Sequence, residues 1–272
     1  SPFVSELETY EEKKNSTIEI ARHMEERLNT FYDVFAERAF NCNDHRFHIK
    51  GENVAKTGLW LAKKRYAMFK VYDLETNQDV DKIAVKGLDV VRSSFPQAFK
   101  DFMNDLLKDI LNKVPKSQID SNILKLKNSL KTKDYLDVAR NTSVNNMEKY
   151  LDDYDSKALN EFKKGTPINI KSAIVHNRLI DYYNVEKEYE KIQSGTKIKY
   201  VYLRDNPLRV SSVAVKGYND PPQIIKLIKT YVDTDALFEK ELRNKLYDFY
   251  SAMGWGNIPT EVNQKAQEFF SF

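Results

Sequence analysis

Basic side chains form local clusters along this sequence, and such clusters are where an anion such as a phosphate could be held. The clusters are Lys63-Lys64-Arg65, then Lys125, Lys127, Lys131 and Lys133, then Lys163, Lys164 and Lys171, and finally Lys197 with Lys199. The whole chain has a net charge of only +3, from 43 basic and 40 acidic residues, so bulk charge does not identify a nucleic-acid-binding protein. A single basic cluster is usually a solvated face, so any phosphate-binding role depends on local context.

Cysteine and histidine usage restricts the metal and redox chemistry open to this chain. Cys42 is the only cysteine, which excludes an intrachain disulfide and a cysteine-rich zinc site. The four histidines show no paired zinc-ligand spacing. His45 and His48 could be a metal pair, but a partly exposed structural role is the favoured interpretation.

The elements that must position these residues are predicted from periodicity. Ser16-Thr17-Ile18-Glu19 has the form of a capping box, and apolar residues recur after it at helical spacing. This pattern predicts an amphipathic helix over about residues 17–39. Phe47 and Ile49 alternate with polar residues as in a short strand, and residues 66–73 and 82–85 predict a hairpin.

The second half of the sequence is predicted to be mostly helical. Pro96 marks a helix start because its fixed φ suits the first helical position. The other predicted elements are helices over residues 116–130, 172–183, 221–231 and 235–253 and a strand over residues 198–202. The change from strand-bearing to helix-rich sequence near Phe95 is the predicted domain boundary.

The run Lys63-Lys64-Arg65-Tyr66 lies in a stretch, residues 55–67, that resembles a motif of family B DNA polymerases found just beyond their catalytic aspartates. The resemblance implies that Lys64 reaches the minor groove at the primer terminus, with Lys63, Arg65 and Tyr66 beside it. Minor-groove acceptors are present on every correct base pair, so a cation there checks shape without reading sequence. Taken alone, the run is also typical of a solvated strand edge.

Residues 86–96 resemble the junction between the palm and thumb domains of the same family. Lys86-Gly87-Leu88 is followed by a basic residue and a polar turn, as in the family. The resemblance implies that Arg92 and Ser93 meet backbone phosphate, as a cation and a small hydroxyl can. Solvated turn residues are the alternative.

Three later segments, residues 142–150, 173–178 and 202–208, resemble successive thumb segments of the T-even-like bacteriophage polymerases, in the same order. The resemblance implies that Ser143, Asn145 and Asn146 contact duplex phosphates. It also implies that Lys171, Asn177 and Arg178 lie on or under the same surface. An ordinary exposed helix turn is the alternative for the last two residues.

The final residues resemble the aromatic tail with which polymerases of that phage group bind the sliding clamp. The resemblance implies that Phe269, Phe270 and Phe272 are the clamp-binding residues. A flexible peptide with aromatic anchors is an efficient tether because it buries a few large side chains without constraining the rest of the enzyme. Aromatic residues that fold back on the thumb are the alternative.

The metal-binding aspartates of the family do not occur in this sequence. Ser1 to Ser5 resemble the serine and strand that follow the second catalytic aspartate. The resemblance therefore implies an N-terminal polymerase fragment that supplies those aspartates, the fingers and the proofreading exonuclease, and that holds most of the Mg²⁺. Glu52 aligns with a carboxylate that lies close to the metals without being a principal ligand. No catalytic residue or metal ligand is assigned in this chain.

A beginning at this serine suggests a split polymerase, because the Asp-Ser junction of the family is an insertion point for inteins. The two parts would be spliced together or would assemble without a covalent bond.

The sequence thus predicts an α+β fold, with the C-terminal part of a palm at 1–94, a thumb at 95–262 and a clamp-binding tail at 263–272. The expected function is to bind primer–template DNA and position the primer end for nucleotidyl transfer completed by the upstream fragment. A stand-alone DNA-binding or clamp-tethered accessory protein is the alternative. Apolar runs too short to cross a membrane predict a cytoplasmic protein, in the host cell if it is phage-encoded.

Overall fold

The computed structural model describes residues 2–151 and 158–260, and the chain divides into two compact units, Ser1–Gly87 and Leu88–Phe272. Each unit combines helices with one small antiparallel sheet, which confirms the predicted α+β class. No helix in the described parts is both long and apolar enough to cross a membrane.

The first unit is built from one long helix and a three-stranded sheet. Its elements are α1 (Pro2–Ser5), α2 (Tyr10–Phe40), β1 (Asn53–Ala62), β2 (Arg65–Asp73) and β3 (Gln78–Lys86). The strands lie in the order β1-β2-β3, and the β2–β3 pair confirms the predicted hairpin. Ile18 of α2 packs with Val54 and Val71 of the sheet, so burial of this small apolar cluster joins the helix to the strands.

Helix α2 begins earlier than the predicted start near Thr17, so that prediction is wrong. Its N-cap is Thr9, whose hydroxyl accepts from the Glu12 amide at 3.2 Å while the Glu12 carboxylate accepts from the Thr9 amide at 3.0 Å. The sequence holds two candidate capping boxes, and no helix-breaking residue separates them. Because each residue added to a nucleated helix gains a hydrogen bond, the helix extends back to the earlier box.

The predicted strand at Phe47 and Ile49 is also wrong. The side-chain amide of Asn29 makes hydrogen bonds to both the carbonyl and the amide of Ile49, each at 2.9 Å. The Glu25 carboxylate accepts from the Gly51 amide at 2.9 Å. Side chains of α2 therefore supply partners that a strand would have found in a neighbouring strand.

The second unit contains most of the helices and a second antiparallel sheet. Its helices are α3 (Gln97–Leu111), α4 (Lys116–Ser129), α5 (Tyr135–Val138), α6 (Ile168–Tyr182), α7 (Pro222–Tyr231), α8 (Thr234–Leu237) and α9 (Asn244–Met253). The strands β4 (Arg140–Ser143), β5 (Lys197–Tyr202) and β6 (Ser212–Val215) lie in that order. Pro96 caps α3, as predicted, while the predicted helix over residues 235–253 is divided by a π-helical segment, Phe238–Arg243.

The core of the second unit lies where α6 packs against β6. One apolar cluster joins Val175 and Leu179 of α6 to Val201 and Val213 of the sheet. A second cluster joins Ile174 to Ile198 and Ala214, so α6 contributes to both apolar clusters of the sheet. Burial of these side chains fixes the register of β5 and β6, and β4 pairs with β5.

Candidate nucleic-acid interface

The basic run of the first unit lies at the turn between β1 and β2. Lys63 and Lys64 form the turn and their side chains are exposed, whereas Arg65 and Tyr66 begin β2 and are half-buried. Lys64 has φ +61°, in the left-handed region. The turn therefore presents two adjacent ammonium groups to solvent.

Gly87 supports this turn from the end of β3. Its φ is +68°, and a Cβ at this position would lie 2.1 Å from the carbonyl oxygen of Lys64 and 3.3 Å from Cγ of Arg65. No side chain fits such a contact, so only glycine lets the two backbones approach. The Lys-Lys-Arg-Tyr run and Gly87, far apart in sequence, thus meet within the first unit.

An exposed aromatic residue, Trp60, lies beside the turn. Trp60 pairs with Tyr66, and Tyr66 pairs with Lys86, so the three side chains share one face of the sheet. Trp60 is 61% exposed, and its ring lies 6.5 Å from that of Tyr66. Gly58 leaves the space for it, because a Cβ there would lie 2.3 Å from the indole ring. Such a ring can stack on a sugar or base, but sequence reasoning did not single it out.

In the second unit, a groove of about 550 Å³ runs along β4 and β5. It is lined by Ser93, Ser94, Asn141, Thr142, Ser143, Lys197, Ile198, Lys199 and Lys216. Pairing of Asn141 with Lys199 and of Ser143 with Lys197 places hydroxyl and amide groups opposite ammonium groups. The groove therefore offers hydrogen-bond donors and positive charge together, which is what a phosphate requires.

Backbone carbonyl groups, which are neutral, hold two of the three lysines of the groove. The Lys199 ammonium donates to the Leu136 carbonyl at 2.7 Å, and that of Lys216 donates to the Glu190 carbonyl at 2.6 Å. These neutral acceptors orient the ammonium groups without compensating them. Across residues 2–151 and 158–260, none of the three lysines forms an ion pair.

Asn145 and Asn146 lie exposed in the loop that follows β4. Asn146 has φ +53°, a conformation that asparagine tolerates better than most residues. The loop is held from both sides: the Val144 amide donates to the Thr196 carbonyl at 3.0 Å, and the Met147 amide donates to the Ser194 hydroxyl at 2.9 Å. The predicted Ser143 therefore ends β4, and Asn145 and Asn146 follow it in a loop that these hydrogen bonds hold in place.

Ser93 lines the same groove, and Arg92 precedes it in the chain. The side chain of Arg92 is 62% exposed and forms a 2.9 Å ion pair with Asp89, whose other oxygen lies 3.0 Å from the Lys245 ammonium. The Ser93 carbonyl accepts from the Asn141 amide at 3.1 Å, which fixes Ser93 at the rim of the groove.

Helix α6 carries Lys171, Asn177 and Arg178. The side chains of Asn177 and Arg178 make hydrogen bonds to backbone groups of other segments. The Asn177 amide donates to the Ile192 carbonyl at 2.8 Å and accepts from the Ile192 amide at 2.7 Å. Arg178 donates to the carbonyls of Ala158 and Glu161 at 2.9 and 2.6 Å. Arg178 and Lys171 both lie over the ring of Phe162. Asn177 and Arg178 therefore hold neighbouring backbone segments against α6.

Strand β4 is anchored at its first residue by an ion pair. The Arg140 guanidinium lies 2.6 Å from the Glu241 carboxylate, which is only 5% exposed. Burial by itself lowers the pKa of Arg140, but the Glu241 carboxylate outweighs it and the pKa is raised. The ion pair ties β4 to the π-helical segment.

The comparison with protein families decides the class of this protein. The family model described as DNA polymerase family B matches residues 6–251. The chain belongs to this family. It is 24% identical over 244 residues to the DNA-directed DNA polymerase of Enterobacteria phage T4. This match covers 86% of this chain and 26% of that protein. The chain is 26% identical over 198 residues to the DNA-directed DNA polymerase of Escherichia phage RB69. This match covers 72% of this chain and 21% of that protein.

The chain thus spans about a quarter of the length of these family B relatives. The resemblance to T-even-like phage polymerases is confirmed at the level of the family and of these relatives.

The described residues of this family B chain contain no group of three or more histidine, cysteine, aspartate or glutamate side chains placed to hold a metal ion. The side chain of Glu52 is exposed, and its backbone carbonyl accepts from the Leu74 amide at 3.0 Å. The predicted clamp-binding residues Phe269, Phe270 and Phe272 lie outside the described residues.

Proposed function

We propose that this chain is the palm-end and thumb part of a DNA-directed DNA polymerase and that it binds primer–template duplex through phosphates. The observation that carries the proposal is the groove of the second unit, which brings Ser93 and Ser143 together with Lys197, Lys199 and Lys216 in a member of DNA polymerase family B. The first unit would be the end of the palm and the second unit the thumb.

Phosphate contacts from this groove give binding that depends strongly on salt and little on sequence. Lysines displace counterions from the DNA, while the serine hydroxyls and the amides of Asn145 and Asn146 fix the position of the backbone. Arg92 adds a cation at the rim, and Lys171, Asn177 and Arg178 support the surface from α6.

The turn of the first unit is proposed to meet the primer end. Lys64, with Lys63 beside it, would reach minor-groove acceptors, and Arg65 and Tyr66 would fix the turn. Trp60 adds a ring that can stack on a sugar or base next to these cations.

The catalytic part is proposed to lie in the rest of the polymerase. That part would hold the carboxylates and the Mg²⁺ ions, with Glu52 near them, and would be joined to this chain by splicing or by assembly. A sliding clamp is the proposed partner of Phe269, Phe270 and Phe272.

The groove is tested by changing its charge. The triple variant Lys197→Gln/Lys199→Gln/Lys216→Gln should bind duplex DNA more weakly, and the slope of log K against log salt should fall by about 0.9 for each lost phosphate contact. Fluorescence anisotropy with one labelled duplex, at four or more salt concentrations, measures both quantities.

The matched control removes the same charge elsewhere in the second unit. Lys187→Gln/Lys226→Gln/Lys229→Gln changes three lysines outside the groove, and its salt slope should equal that of the wild type. Equal slopes for wild type and groove variant would contradict the proposal.

A further inference from the structure

Helix α2 carries an apolar stripe that faces solvent. Met24, Leu28, Phe31 and Phe35 are spaced at helical intervals and are 55%, 36%, 56% and 42% exposed. At roughly 100° per residue these positions fall on one side of the helix. Four large apolar side chains in one exposed line differ from the isolated apolar residues that every surface carries.

The stripe is separate from the face by which α2 joins its own unit. Ile18 and Ala36 are buried, and Asn29 between them binds the backbone of Ile49. This inner face lies about 100° round the axis from the stripe. The opposite side of α2 is polar and mostly charged: its exposed residues include Glu19, Arg22, Glu26, Asp33 and Glu37. The helix therefore has an inner face, a charged face and a third face that is apolar and exposed.

Ring contacts make the apolar face one continuous patch. Phe31 stacks on Phe35 at 5.7 Å, and Phe35 meets Phe40 edge-on at 5.4 Å. Phe31 also contacts Tyr32, which stacks on Phe47 at 5.8 Å. Phe40 and Phe47 are 67% and 61% exposed. Contiguous exposed aromatic surface is typical of a protein–protein interface.

We propose that this patch is the docking surface for the rest of the family B polymerase, an inference that rests on the proposed function. The chain spans 26% of the T4 relative and 21% of the RB69 relative, so about three quarters of such a polymerase lies outside it. The required partner surface is apolar and binds along α2, while the charged face of α2 stays in water.

The size of the stripe favours a large partner over a second copy of this chain. From Met24 to Phe40 the helix is about 25 Å long and about 10 Å wide. Two such stripes paired with each other would bury much less than the roughly 800 Å² per partner of a stable interface. A folded polymerase body can continue the interface beyond the stripe.

The test uses the double variant Phe31→Ser/Phe35→Ser. Serine and phenylalanine have similar helix propensities, and both rings are exposed, so α2 should remain helical. The matched control, Glu19→Ser/Glu26→Ser, introduces the same two serines on the charged face. The probe is the remaining part of the family B polymerase from the same source, prepared as a separate polypeptide. Sedimentation velocity measures its association with each form of the chain.

We expect the wild type and the control to associate with the probe and the double variant to associate at least 100-fold more weakly. Equal association of all three forms would overturn the proposal. The proposal would also be overturned if the wild-type chain associates with itself and the double variant does not, because the patch would then bind a second copy of the chain. If circular dichroism shows loss of helix, the single variant Phe31→Ser replaces the double variant with the same expected direction.

Duplex binding by the chain alone separates the two hypotheses. The double variant should bind duplex DNA as the wild type does, because its changes leave the groove intact. A wild-type chain that fails to bind duplex counts against the proposed function. A chain that binds duplex but docks equally well without the two rings counts against the patch alone.

Discussion

At the scale of single residues, Gly87 is a position where the backbone does not tolerate a side chain. Both its positive φ and the 2.1 Å approach of a Cβ to the Lys64 carbonyl exclude a side chain. We expect Gly87→Ala to destabilise the protein by about 3 kcal/mol, of which roughly 1–2 kcal/mol comes from the left-handed conformation and the rest from the overlap. Urea unfolding measures the loss, and duplex binding should weaken because the Lys64 turn is displaced.

Gly165 provides the control for this prediction. Its φ is +85°, but a Cβ there would have no neighbour within 4 Å. Gly165→Ala should therefore cost only about 1–2 kcal/mol, the conformational part alone. If the two alanine variants unfold at the same urea concentration, the close approach at Gly87 has no energetic role.

His176 makes stability depend on pH. Its ring is fully buried, and Nδ1 donates to the Ala214 carbonyl at 2.8 Å. Burial lowers the pKa of His176, and Asp220, 3.7 Å from Nε2, offsets only part of that effect. As the pH falls below about 6.5 the unfolded chain takes up the proton first, so the stability present above that pH is lost.

We expect the wild type to lose about 1 kcal/mol more stability than His176→Gln between pH 7 and pH 5. The glutamine variant keeps a donor for the Ala214 carbonyl but has no group that titrates in this range. Urea unfolding at both pH values gives the difference. Parallel losses in the two proteins would show that other groups cause the pH dependence.

At the scale of elements, β4 depends on one buried carboxylate. Arg140→Ala removes the cation from Glu241, whose side chain is 5% exposed in the wild type and has the Tyr202 hydroxyl 3.5 Å away. We expect a cost of about 2 kcal/mol, less than for a fully buried pair because Arg140 is 42% exposed. Arg243→Ala breaks a half-exposed pair with Glu239 in the same region and should cost about 0.5 kcal/mol. Thermal unfolding compares them, and equal costs would contradict the role of burial.

The same scale shows what the sequence could and could not predict. The hairpin of β2 and β3 and helices α3, α4, α6 and α7 follow from apolar periodicity and from proline at helix starts. Strand β4, Arg140-Asn141-Thr142-Ser143, was missed because it is polar throughout and offers no alternation. Its strand character comes from pairing with β5, a long-range contact that local patterns do not contain.

The candidate site was predictable only in part for the same reason. Ser93 and Ser143 were found through the family resemblance, and Lys197 with Lys199 was visible as a basic pair. Lys216 is single in sequence, and pairing of β5 with β6 brings it to the groove. Trp60 is exposed because Gly58 makes room for its ring, a relation that is seen only in the folded sheet.

At the scale of the whole molecule, basic and acidic residues are nearly equal in number, but the basic residues are concentrated at a few sites. A net charge of +3 gives little long-range attraction to DNA. The groove lysines and the Lys63-Lys64 turn concentrate positive charge where hydrogen-bond donors are also present. We therefore expect binding that depends on two local sites rather than on the overall field, which makes it sensitive to substitution at either site.

The last prediction concerns the activity of the chain with and without the rest of a polymerase. The resemblance to family B polymerases implies that the metal-binding aspartates lie in the rest of the polymerase, so the chain alone should bind primer–template DNA but show no Mg²⁺-dependent primer extension. Adding the remaining part of the family B polymerase from the same source should produce extension.

Lys64→Ala should then slow extension at least 10-fold while changing duplex affinity less, because Lys64 acts at the primer end. Gel-based extension assays measure both. Extension by the purified chain alone would contradict the proposal that the catalytic part lies in the rest of the polymerase. Duplex binding without extension in the reconstituted mixture would favour an accessory protein.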